Sequence, residues 1–484
     1  MYSHNSEVPY QFARMTRRGF LLGAMASLAG ATLPIPKARA GLRTYNLSAA
    51  PAKVKLLGVK GARETEVWAY SGNTPGPLIR ARQGERLRID VSNGLPQETT
   101  LHCHGLRMPN AMDGVPELTQ APIQQGERFV YEFDLHDAGT FWYHSHTYSA
   151  EQVGRGLNGA LIIDEKEPPM VDRDLVWVIN DWRVNNAGVM SDDFNHPHDI
   201  SHGGRIGNLI TLNGAEWEDF DVKAGERLRI RLINAANARV MGFKFGGFNP
   251  KIVAQDGHPV KPYEPTGGQI VFGPGQRVDL IVDIAGKPGE RLAVVDDYYK
   301  QFAYTFITFN VEPGEVLRES PLDAPITLSG NPLSEPDLAN AETKKVLIEG
   351  GAMGGLRTAV YKGDKVELRK LWRQHRKVWV LNGVASSGVD MDPMFKLKLG
   401  KSYRWRIHND TVWDHPMHLH GHAFRVIERN GKPEPHTPWA DTVLLYAGDV
   451  VDIAFVADNP GDWLFHCHVL EHHSGGMGAV VRVA

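Results

Sequence analysis

Short segments in which apolar and polar residues alternate recur along the chain from residue 41 onwards. Side chains of a β-strand point alternately to the two faces of a sheet, so this period of two is typical of strands buried on one face. Glycine and proline separate the segments, and long amphipathic helical patterns are scarce. We therefore predict an all-β protein built from sandwiches or barrels. Clear examples are ERLRIDVSN, RFVYEFDL, ERLRIRLIN and VVDIAFVAD.

The sequence contains an internal repeat. The segments QGERLRIDVSN, AGERLRIRLIN and LGKSYRWRIHN share one pattern, and each carries a glycine near its start, at Gly84, Gly225 and Gly400. A second element, DAGTFWYHSH in the first third, resembles NPGDWLFHCH in the last third, and the middle third offers KPGERLAVVD. Such self-similarity predicts homologous units. We expect three β-domains, with a proline-rich linker before the third, at residues 41–165, 166–315 and 325–484.

Residues 1–40 have the features of an export signal. Arg17 and Arg18 precede an apolar run from Phe20 to Leu33, and Ala38-Arg39-Ala40 follows. Twin arginines before an apolar run are typical of a Tat-type signal, and A-x-A is typical of a cleavage site. The run is too short to span a bilayer comfortably. We predict export by the Tat machinery to a periplasmic or secreted location, with no stable membrane span.

Composition excludes some classes of protein and points to metal binding. The chain is 42% hydrophobic and 23% charged, which is ordinary for a soluble globular protein. A net charge of −3 gives no reason to expect a nucleic-acid partner, and two cysteines do not form a disulfide framework. The unusual number is 21 histidines. Histidine is the commonest metal ligand.

Paired histidines occupy matching positions of the first and third repeats. In both repeats an H-x-H pair begins 18 residues after the opening glycine. Another pair begins five residues after the glycine of the second repeated element. The middle repeat has Phe243 and Val294 at these two positions. Residues i and i+2 of a strand face the same way, so each pair presents two imidazoles on one side. Eight imidazoles are too many for one tetrahedral zinc, and imidazole also binds copper, iron and nickel. We predict a cluster of several metal ions formed by His102/His104, His144/His146, His418/His420 and His466/His468.

Cys467 lies between two of these histidines and must face the other side of its strand. It is therefore kept out of the imidazole cluster and belongs to a separate site. Two histidines, a thiolate and a weak axial methionine form the ligand set of a blue-copper electron-transfer centre. The strand backbone would join the two sites covalently. The further candidates for this second site are His415, His472 and Met477.

The segments HCHG, HSH, HPMHLHGH and HCHVLEHHSGGM resemble the four copper-binding motifs of the multicopper oxidases, in family order. The chain is most similar to the bacterial laccase-like, three-domain members. The resemblance implies three consecutive cupredoxin-like Greek-key β-sandwich domains and four copper ions per chain. It also implies that a donor gives one electron at a time to a type 1 copper, that Cys467 passes the electrons on, and that a trinuclear cluster reduces dioxygen to water.

The resemblance assigns every ligand by position. The type 1 ligands are His415, Cys467, His472 and Met477. The type 2 ligands are His102 and His418. The type 3 ligands are His104, His144 and His468 for one copper, and His146, His420 and His466 for the other.

Proton delivery is the point at which the chain departs from its relatives. Bacterial members resemble one another in placing an Asp after the first H-x-H and a Glu directly after the second type 1 histidine. Asp113 matches the first, but His473 occupies the second position. Either His473 replaces the carboxylate as proton donor, so that dioxygen reduction slows as pH rises through a pKa of about 6.5, or it is a surface histidine without a role.

Other candidate groups receive simpler interpretations. Cys103 is expected to be a small buried hydrophobe rather than a redox group. The segment HPHDISH, with His196, His198 and His202, could bind an extra metal ion. Because it is polar and has no counterpart in the repeats, a solvated loop is the favoured interpretation.

The reducing substrate is predicted from what the chain lacks. A cuprous oxidase of this family would be expected to carry a methionine-rich insertion, but here the methionines are dispersed. We therefore expect a phenol or aromatic amine as donor, with oxidation of cuprous, manganous or ferrous ions as the alternative. A non-enzymatic cupredoxin-fold scaffold is disfavoured by the intact ligand set. Copper nitrite reductase is disfavoured because that pattern has two domains and lacks the trinuclear set.

Overall fold

The structure is a computed structural model that describes residues 41–57, 63–216, 219–314, 316–388 and 392–484. The twin-arginine segment of residues 1–40 lies outside the described residues, so the export signal stays a prediction. Strands dominate the described part of the chain, as the alternating pattern predicts. Within those ranges, no helix is both long and apolar enough to cross a membrane.

The first region forms two four-stranded sheets, with the orders β2-β1-β4-β6 and β3-β8-β7-β5. Alternate residues of these strands, among them Leu87, Ile89 and Val91, bury their side chains in one hydrophobic core. Strands β1 to β8 are Leu42–Val54, Thr65–Tyr70, Ile79–Arg82, Arg86–Asn93, His102–His104, Arg128–Asp134, Gly139–His144 and Asn158–Asp164.

The second region forms a six-stranded sheet and a five-stranded sheet, with the orders β10-β9-β12-β17-β14-β15 and β11-β19-β18-β13-β16. A separate core of aliphatic and aromatic residues fills this region. Strands β9 to β19 are Arg173–Trp182, Leu209–Leu212, Asp219–Val222, Arg227–Asn234, Met241–Phe245, Lys251–Gln255, His258–Tyr263, Gln269–Phe272, Arg277–Asp283, Arg291–Asp296 and Tyr304–Val311.

The C-terminal region contains a seven-stranded sheet, a five-stranded sheet of order β24-β33-β32-β26-β30 and the hairpin β21-β22. Its core includes Cys467 and Met477. Strands β20 to β33 are Glu342–Gly350, Thr358–Tyr361, Asp364–Glu367, Trp379–Leu381, Phe395–Leu397, Ser402–Asn409, His415–Leu419, Phe424–Arg429, Lys432–Pro433, Trp439–Ala440, Thr442–Leu445, Val450–Val456, Gly461–Cys467 and Gly478–Val483.

Helices are few and short in the described ranges, and three of them contact one another next to the strand that carries Cys467. Helices α1 to α4 are Ser149–Gln152, Pro197–Ser201, Leu368–His375 and Leu470–Ser474. Helix α4 directly follows the strand that carries Cys467, and both α1 and α2 contact helix α4. Single 3₁₀ turns are formed by Asn110–Met112, Thr266–Gly268 and Lys300–Phe302.

The glycines at the start of the sequence repeat share one conformation. Gly84, Gly225 and Gly400 have φ angles of 91°, 80° and 76°, a left-handed region that residues with a Cβ rarely adopt. Each lies in the turn just before a long strand, at Arg86, Arg227 and Ser402 respectively. The repeat therefore marks the same turn-to-strand junction in all three regions. The exact domain boundaries at 165, 315 and 325 stay predictions.

Pairing between strands places the histidines of the two ends at equivalent points. His102 lies opposite His144 in the first region, and His418 lies opposite His466 in the last. In the second region, Phe243 lies opposite Asp296 rather than Val294, because Val294 is paired with Phe245. Both Phe243 and Val294 are buried in the second hydrophobic core. At these positions the middle region therefore contributes packing and no metal ligands.

The predicted linker is part of the folded structure. No regular element is formed between Val311 and Glu342 in the residues described there. Leu328 is nevertheless buried against the second region. The Asn331 side chain also bonds to the backbone of Ala138 in the first region and to the ring of His258 in the second. The connection thus joins two regions instead of separating them.

Candidate metal centres

Strand β32 and helix α4 bring a thiol and two imidazoles to one buried point. The Cys467 Sγ lies 3.5 Å from His415 Nδ1 and 3.7 Å from His472 Nδ1, and the two Nδ1 atoms are 3.0 Å apart. All three side chains are buried. Burial raises the pKa of the Cys467 thiol, so a cation beside it is needed to stabilise the thiolate. This donor set fits a soft metal ion.

The outer nitrogens of the two imidazoles already have partners. His415 Nε2 bonds to Thr411 Oγ1 at 2.9 Å, and His472 Nε2 donates to the carbonyl of His202 at 2.5 Å. These bonds leave each Nδ1 available and fix the plane of each ring, as outer hydrogen bonds do for histidines that bind metals. The orientation of His472 thus depends on a carbonyl of the second region.

Met477 and Trp379 complete the surroundings of the thiol. Met477 is fully buried in the same core as Cys467, and its carbonyl accepts a hydrogen bond from the Cys467 backbone N–H at 3.1 Å. The Trp379 ring centroid lies 5.0 Å from that of His415 and 4.5 Å from that of His472. Trp379 therefore excludes water from this site, a role that no motif in the sequence predicted.

The eight histidines of the four H-x-H pairs converge between the first and C-terminal regions, on the opposite side of strand β32. Their nitrogens form three groups in which the donor atoms lie within 4.8 Å of one another. All eight side chains are buried. The groups are His104, His144 and His468; His146, His420 and His466; and His102, His104 and His418.

Six of these eight imidazoles have one nitrogen held by a hydrogen bond, and in four of the six the other nitrogen is free. The holding atoms are carbonyl or carboxylate oxygens at 2.7–2.9 Å, and those partners include Asp113, Ser145, Asp441 and Cys467. In the described chain, the second nitrogens of four such rings have no hydrogen-bond partner although they are buried. A buried nitrogen without a partner is costly unless it binds something. The arrangement therefore fits metal ions; the four nitrogens are His102 Nε2, His104 Nδ1, His144 Nε2 and His418 Nε2.

The electrostatics of the cluster favour neutral imidazoles. Burial, followed by the proximity of other histidines, lowers the pKa of His144, His146 and His420 well below 6.5. His466 and His468 are affected in the same way. Neutral imidazole is the form that binds a metal ion, so the rings need not lose a proton when they do so near neutral pH.

Asp113 lies directly beside the cluster. Its carboxylate Oδ2 accepts a hydrogen bond from His420 Nδ1 at 2.9 Å, and its carbonyl accepts one from His102 Nδ1 at 2.7 Å. The residue follows a 3₁₀ turn and is fully buried. Its other carboxylate oxygen, Oδ1, is buried without a hydrogen-bond partner in the described part of the chain. That oxygen lies 3.3 Å from His102 Nδ1, so Asp113 orients two imidazoles of the cluster.

A buried ion network from the second region supports the other end of the cluster. Arg277 donates to both carboxylate oxygens of Asp441, at 2.9 and 2.6 Å, and to the Thr140 carbonyl at 3.1 Å. Asp441 in turn bonds to His104 Nε2 at 2.9 Å. Burial and the charge of Asp441 raise the pKa of Asp256 to about 7, while Arg277 helps hold the pKa of Asp441 well below its usual range. One guanidinium thus joins all three regions.

Replacing Arg277 with methionine should destabilise the protein by about 3–5 kcal/mol, because it leaves buried carboxylates without their cation. Urea unfolding of the copper-free protein measures this. Arg291→Met is the matched control, since Arg291 pairs with Asp219 at the surface and such pairs are worth about 1 kcal/mol or less. Equal losses in the two variants would show that Arg277 does not support the structure in this way.

The structure places His473 against the histidine cluster. It is not a surface histidine without contacts, because its ring centroid lies 4.4 Å from that of His466 and 5.7 Å from that of His146. Burial and the nearby Lys377 lower its pKa to about 4. This value differs from the pKa near 6.5 on which the proton-donor interpretation was based, and the role of His473 in proton delivery stays a prediction.

The HPHDISH segment is a helix rather than a solvated loop. Residues Pro197–Ser201 form α2, in which Asp199 and Ile200 are buried. The His198 ring stays exposed, and His202 is partly buried. The segment has no counterpart in the repeats, and it borders the thiol site through the His202 carbonyl. Cys103 is fully buried in the first core, as a small hydrophobe would be.

Three regions of β-sandwich type, with one thiol–imidazole site and one cluster of eight imidazoles, define a protein that can bind several metal ions. Models of the multicopper oxidase family match residues 52–168, 173–312 and 364–484. The chain belongs to the multicopper oxidase family, whose members are oxidoreductases that use copper.

Known proteins resemble the chain over nearly its full length. A crystal structure of a multi-copper oxidase from Pseudomonas thermotolerans is 34% identical, with a TM-score of 0.80, covering 92% of this chain and 100% of that one. The multicopper oxidase MmcO of Mycobacterium tuberculosis is 27% identical over 96% of both chains. A laccase of Cryphonectria parasitica is 28% identical over 90% of this chain and 81% of its own.

Proposed function

We propose that the protein is a laccase-like oxidase that couples one-electron oxidation of a small donor to the four-electron reduction of dioxygen to water. The observation that carries this proposal is the position of Cys467. Its side chain faces the thiol site, whereas its neighbours in the strand, His466 and His468, face the histidine cluster. An electron-accepting site and a dioxygen site are thus joined by a few covalent bonds.

Bound copper would supply one-electron acceptance at the first site and dioxygen reduction at the second. Four copper ions per chain would be held by the residues described above. The type 1 ion would be held by His415, Cys467, His472 and Met477, and the type 2 ion by His102 and His418. The type 3 ions would be held by His104, His144 and His468, and by His146, His420 and His466.

The remaining groups orient ligands and handle protons. Asp113 and Asp441 hold the imidazoles through their second nitrogens, so the rings are already placed before any ion binds. Reduction of dioxygen consumes four protons inside a buried site, where only a positioned acid or ordered water can deliver them quickly. Asp113 is the group best placed to do so, because its carboxylate lies at the cluster and not on the surface.

We propose phenols and aromatic amines as the donors. Aromatic residues line a cavity of about 650 Å³ in the second region, a size suited to a small aromatic molecule. Ile206 lines this cavity. The residue before it, Arg205, donates its backbone N–H to the carboxylate of Glu471, which lies beside the thiol site. The aromatic lining consists of Tyr299, Phe302, Tyr304 and Phe306. Metal ions are the second class of donor, favoured by the exposed imidazole on α2.

Oxygen uptake by the copper-loaded protein tests the function directly. We expect hydroquinone and an aromatic amine to be oxidised, with one dioxygen consumed for every four electrons. Cuprous, ferrous and manganous ions complete the panel and separate the two classes of donor. A loaded protein that consumes no dioxygen with any of these donors would contradict the proposed function.

Replacing Met477 with leucine should raise the reduction potential of the type 1 site. A thioether is a weak donor that stabilises cupric copper, and the axial ligand tunes the potential of such sites. Redox titration of the blue absorption measures the change. Met417→Leu is a matched control, because Met417 is buried in the same core but was not assigned as a ligand. An unchanged or lower potential in Met477→Leu would remove Met477 from the ligand set.

A further inference from the structure

A surface segment of the C-terminal region, residues 352–378, is strongly basic. It comprises the hairpin β21-β22 and helix α3, and it contains eight basic but two acidic side chains, although the whole chain has a net charge of −3. In the part of the chain that the structure describes, none of the eight forms an ion pair. Such a concentration of uncompensated charge attracts anions. The eight are Arg357, Lys362, Lys365, Arg369, Lys370, Arg373, Arg376 and Lys377.

A groove of about 930 Å³ lies beside this segment, and its volume is within the range of small-molecule sites. Its lining combines apolar side chains with two exposed guanidinium groups, those of Arg357 and Arg369. Among the described lining residues, Glu367 alone carries a carboxylate, so positive charge prevails. Guanidinium matches the geometry of a carboxylate and also stacks on aromatic rings. The groove therefore fits an aromatic molecule with a negative charge; its apolar side chains are Leu356, Leu368, Trp372 and Val378.

The groove comes close to the thiol site at two points. Ser201 lines one edge and precedes His202, whose carbonyl accepts the hydrogen bond of His472 Nε2 at 2.5 Å. Val378 lines another edge and precedes Trp379, whose ring centroid lies 4.5 Å from that of His472. Each edge is thus one residue away from a group that contacts a proposed type 1 ligand. An electron that leaves a molecule in the groove has a short way to the thiol site.

Backbone hydrogen bonds hold the walls of the groove in place. The Ala352 N–H donates to the Ser201 carbonyl at 2.7 Å, which joins the basic segment to the end of α2. The Leu368 N–H donates to the Arg357 carbonyl at 2.8 Å, which fixes the start of α3 beside the hairpin. The two guanidinium groups are therefore carried by anchored backbone, while their charged ends are available to a ligand.

We propose that Arg357 and Arg369 bind the carboxylate of an aromatic donor, so that the protein prefers phenols that carry an anionic group. The inference rests on the proposed function, because the donor needs an electron acceptor at the thiol site. It narrows the class of donor to aromatic acids. The cavity of about 650 Å³ in the second region shares no lining residue with the groove, and its arginine, Arg239, is already bound to Asp181 at 2.9 Å.

The carboxylate takes no part in the oxidation, which occurs on the phenol ring. A donor of the hydroquinone type loses two electrons and two protons, one electron at a time, and becomes a quinone. Two such donors and one dioxygen give two quinones and two waters. Binding of the carboxylate by the two arginines would hold the ring over the apolar part of the groove, between the edges formed by Ser201 and Val378.

Steady-state oxygen uptake with a charged and a neutral donor tests the proposal. The donors are 2,5-dihydroxyphenylacetate and its methyl ester, which has the same ring and no negative charge. The copper-loaded wild type, Arg357→Gln and Arg369→Gln are compared by the ratio of kcat/KM for the anion to kcat/KM for the ester. We expect this ratio to fall about fivefold in each variant, because a partly exposed pair of guanidinium and carboxylate contributes about that factor.

Arg373→Gln is the matched control. Arg373 lies on the same helix and is exposed, and the substitution removes the same charge, but this residue does not line the groove. Because salt screens charges that are not in contact, the ratio should change less than about twofold at physiological ionic strength. A fall as large as that in Arg369→Gln would overturn the proposal, since the helix would then attract anions without a site in the groove.

A binding measurement separates the groove from the reaction. Naphthalene-2-carboxylate has an aromatic ring and a carboxylate but no phenol or amine to oxidise. Its affinity for the copper-loaded protein, measured by isothermal titration calorimetry, should fall about fivefold in Arg357→Gln and Arg369→Gln but not in Arg373→Gln. If neither donor drives oxygen uptake in the wild type, the proposed function fails, and these affinities still decide whether the groove is a site. No binding to the wild type, equal affinities in all variants, or an unchanged donor ratio would overturn the proposal.

Discussion

The Cys467→Ser variant should lose its blue colour and its oxidation of every donor, while the histidine cluster keeps its copper. The colour of such a site arises from the copper–thiolate bond, and a serine hydroxyl does not replace that bond. The change lies on one face of β32, and the ligands of the cluster lie on the other. Electron paramagnetic resonance should therefore still show the type 2 signal. Turnover with hydroquinone should fall below detection.

Cys103→Ser is the matched control for that experiment. Cys103 also lies between two histidines, His102 and His104, and is fully buried. Its side chain, however, packs in the first hydrophobic core and is not part of any cluster of donor atoms among the described residues. We expect the colour and the turnover to be preserved. A blue Cys467→Ser protein, or a colourless Cys103→Ser protein, would contradict the assignment.

The Asp113→Asn variant should reoxidise its fully reduced cluster about 100-fold more slowly, because a positioned acid or base contributes roughly 10²–10⁴-fold to a proton-coupled step. Asparagine keeps an oxygen that can accept the hydrogen bond of His420, so the ligands should stay in place. Stopped-flow mixing of the reduced protein with dioxygen gives the rate. Unchanged copper content and type 2 resonance show that the ligands were not disturbed.

His473→Ala provides the comparison. Because the pKa of His473 is lowered to about 4, its removal should not change the pH dependence of reoxidation between about pH 5 and 8. Any effect should be smaller than that of Asp113→Asn. The His473 ring packs on His466, but unlike Asp113 it places no carboxylate beside the cluster. A step near pH 6.5 that disappears in His473→Ala would restore the histidine as proton donor.

Local sequence patterns predicted much of the fold and of the candidate ligand set. Strand alternation places residues i and i+2 on one face, so the H-x-H spacing alone predicts shared faces and sets Cys467 apart from His466 and His468. The structure brings the paired histidines together as the spacing predicted. The matching repeat positions also predicted which two regions face one another at the cluster.

Interactions between distant residues could not be predicted in this way. Arg277 and Asp441 are 164 positions apart, and neither lies in a recognisable motif. Their pairing depends on how the second region packs against the other two, and local spacing does not report it. The lowered pKa of His473 has the same origin, because it follows from burial and from Lys377, which lies far from it in the sequence.

The HPHDISH segment shows the limit of reasoning from the repeat. It was expected to be a solvated loop because no other repeat contains it, yet the end of α2 accepts hydrogen bonds from Trp379 and His472. Segments outside a repeat are often where a shared scaffold acquires a particular substrate.

The most direct test of the central account is an anaerobic electron titration of the copper-loaded protein, followed by mixing with dioxygen. We predict that each chain accepts four electrons, that the reduced protein consumes one dioxygen, and that no hydrogen peroxide is released. Acceptance of a single electron per chain, or release of peroxide as the product, would contradict a type 1 site joined through Cys467 to a trinuclear cluster.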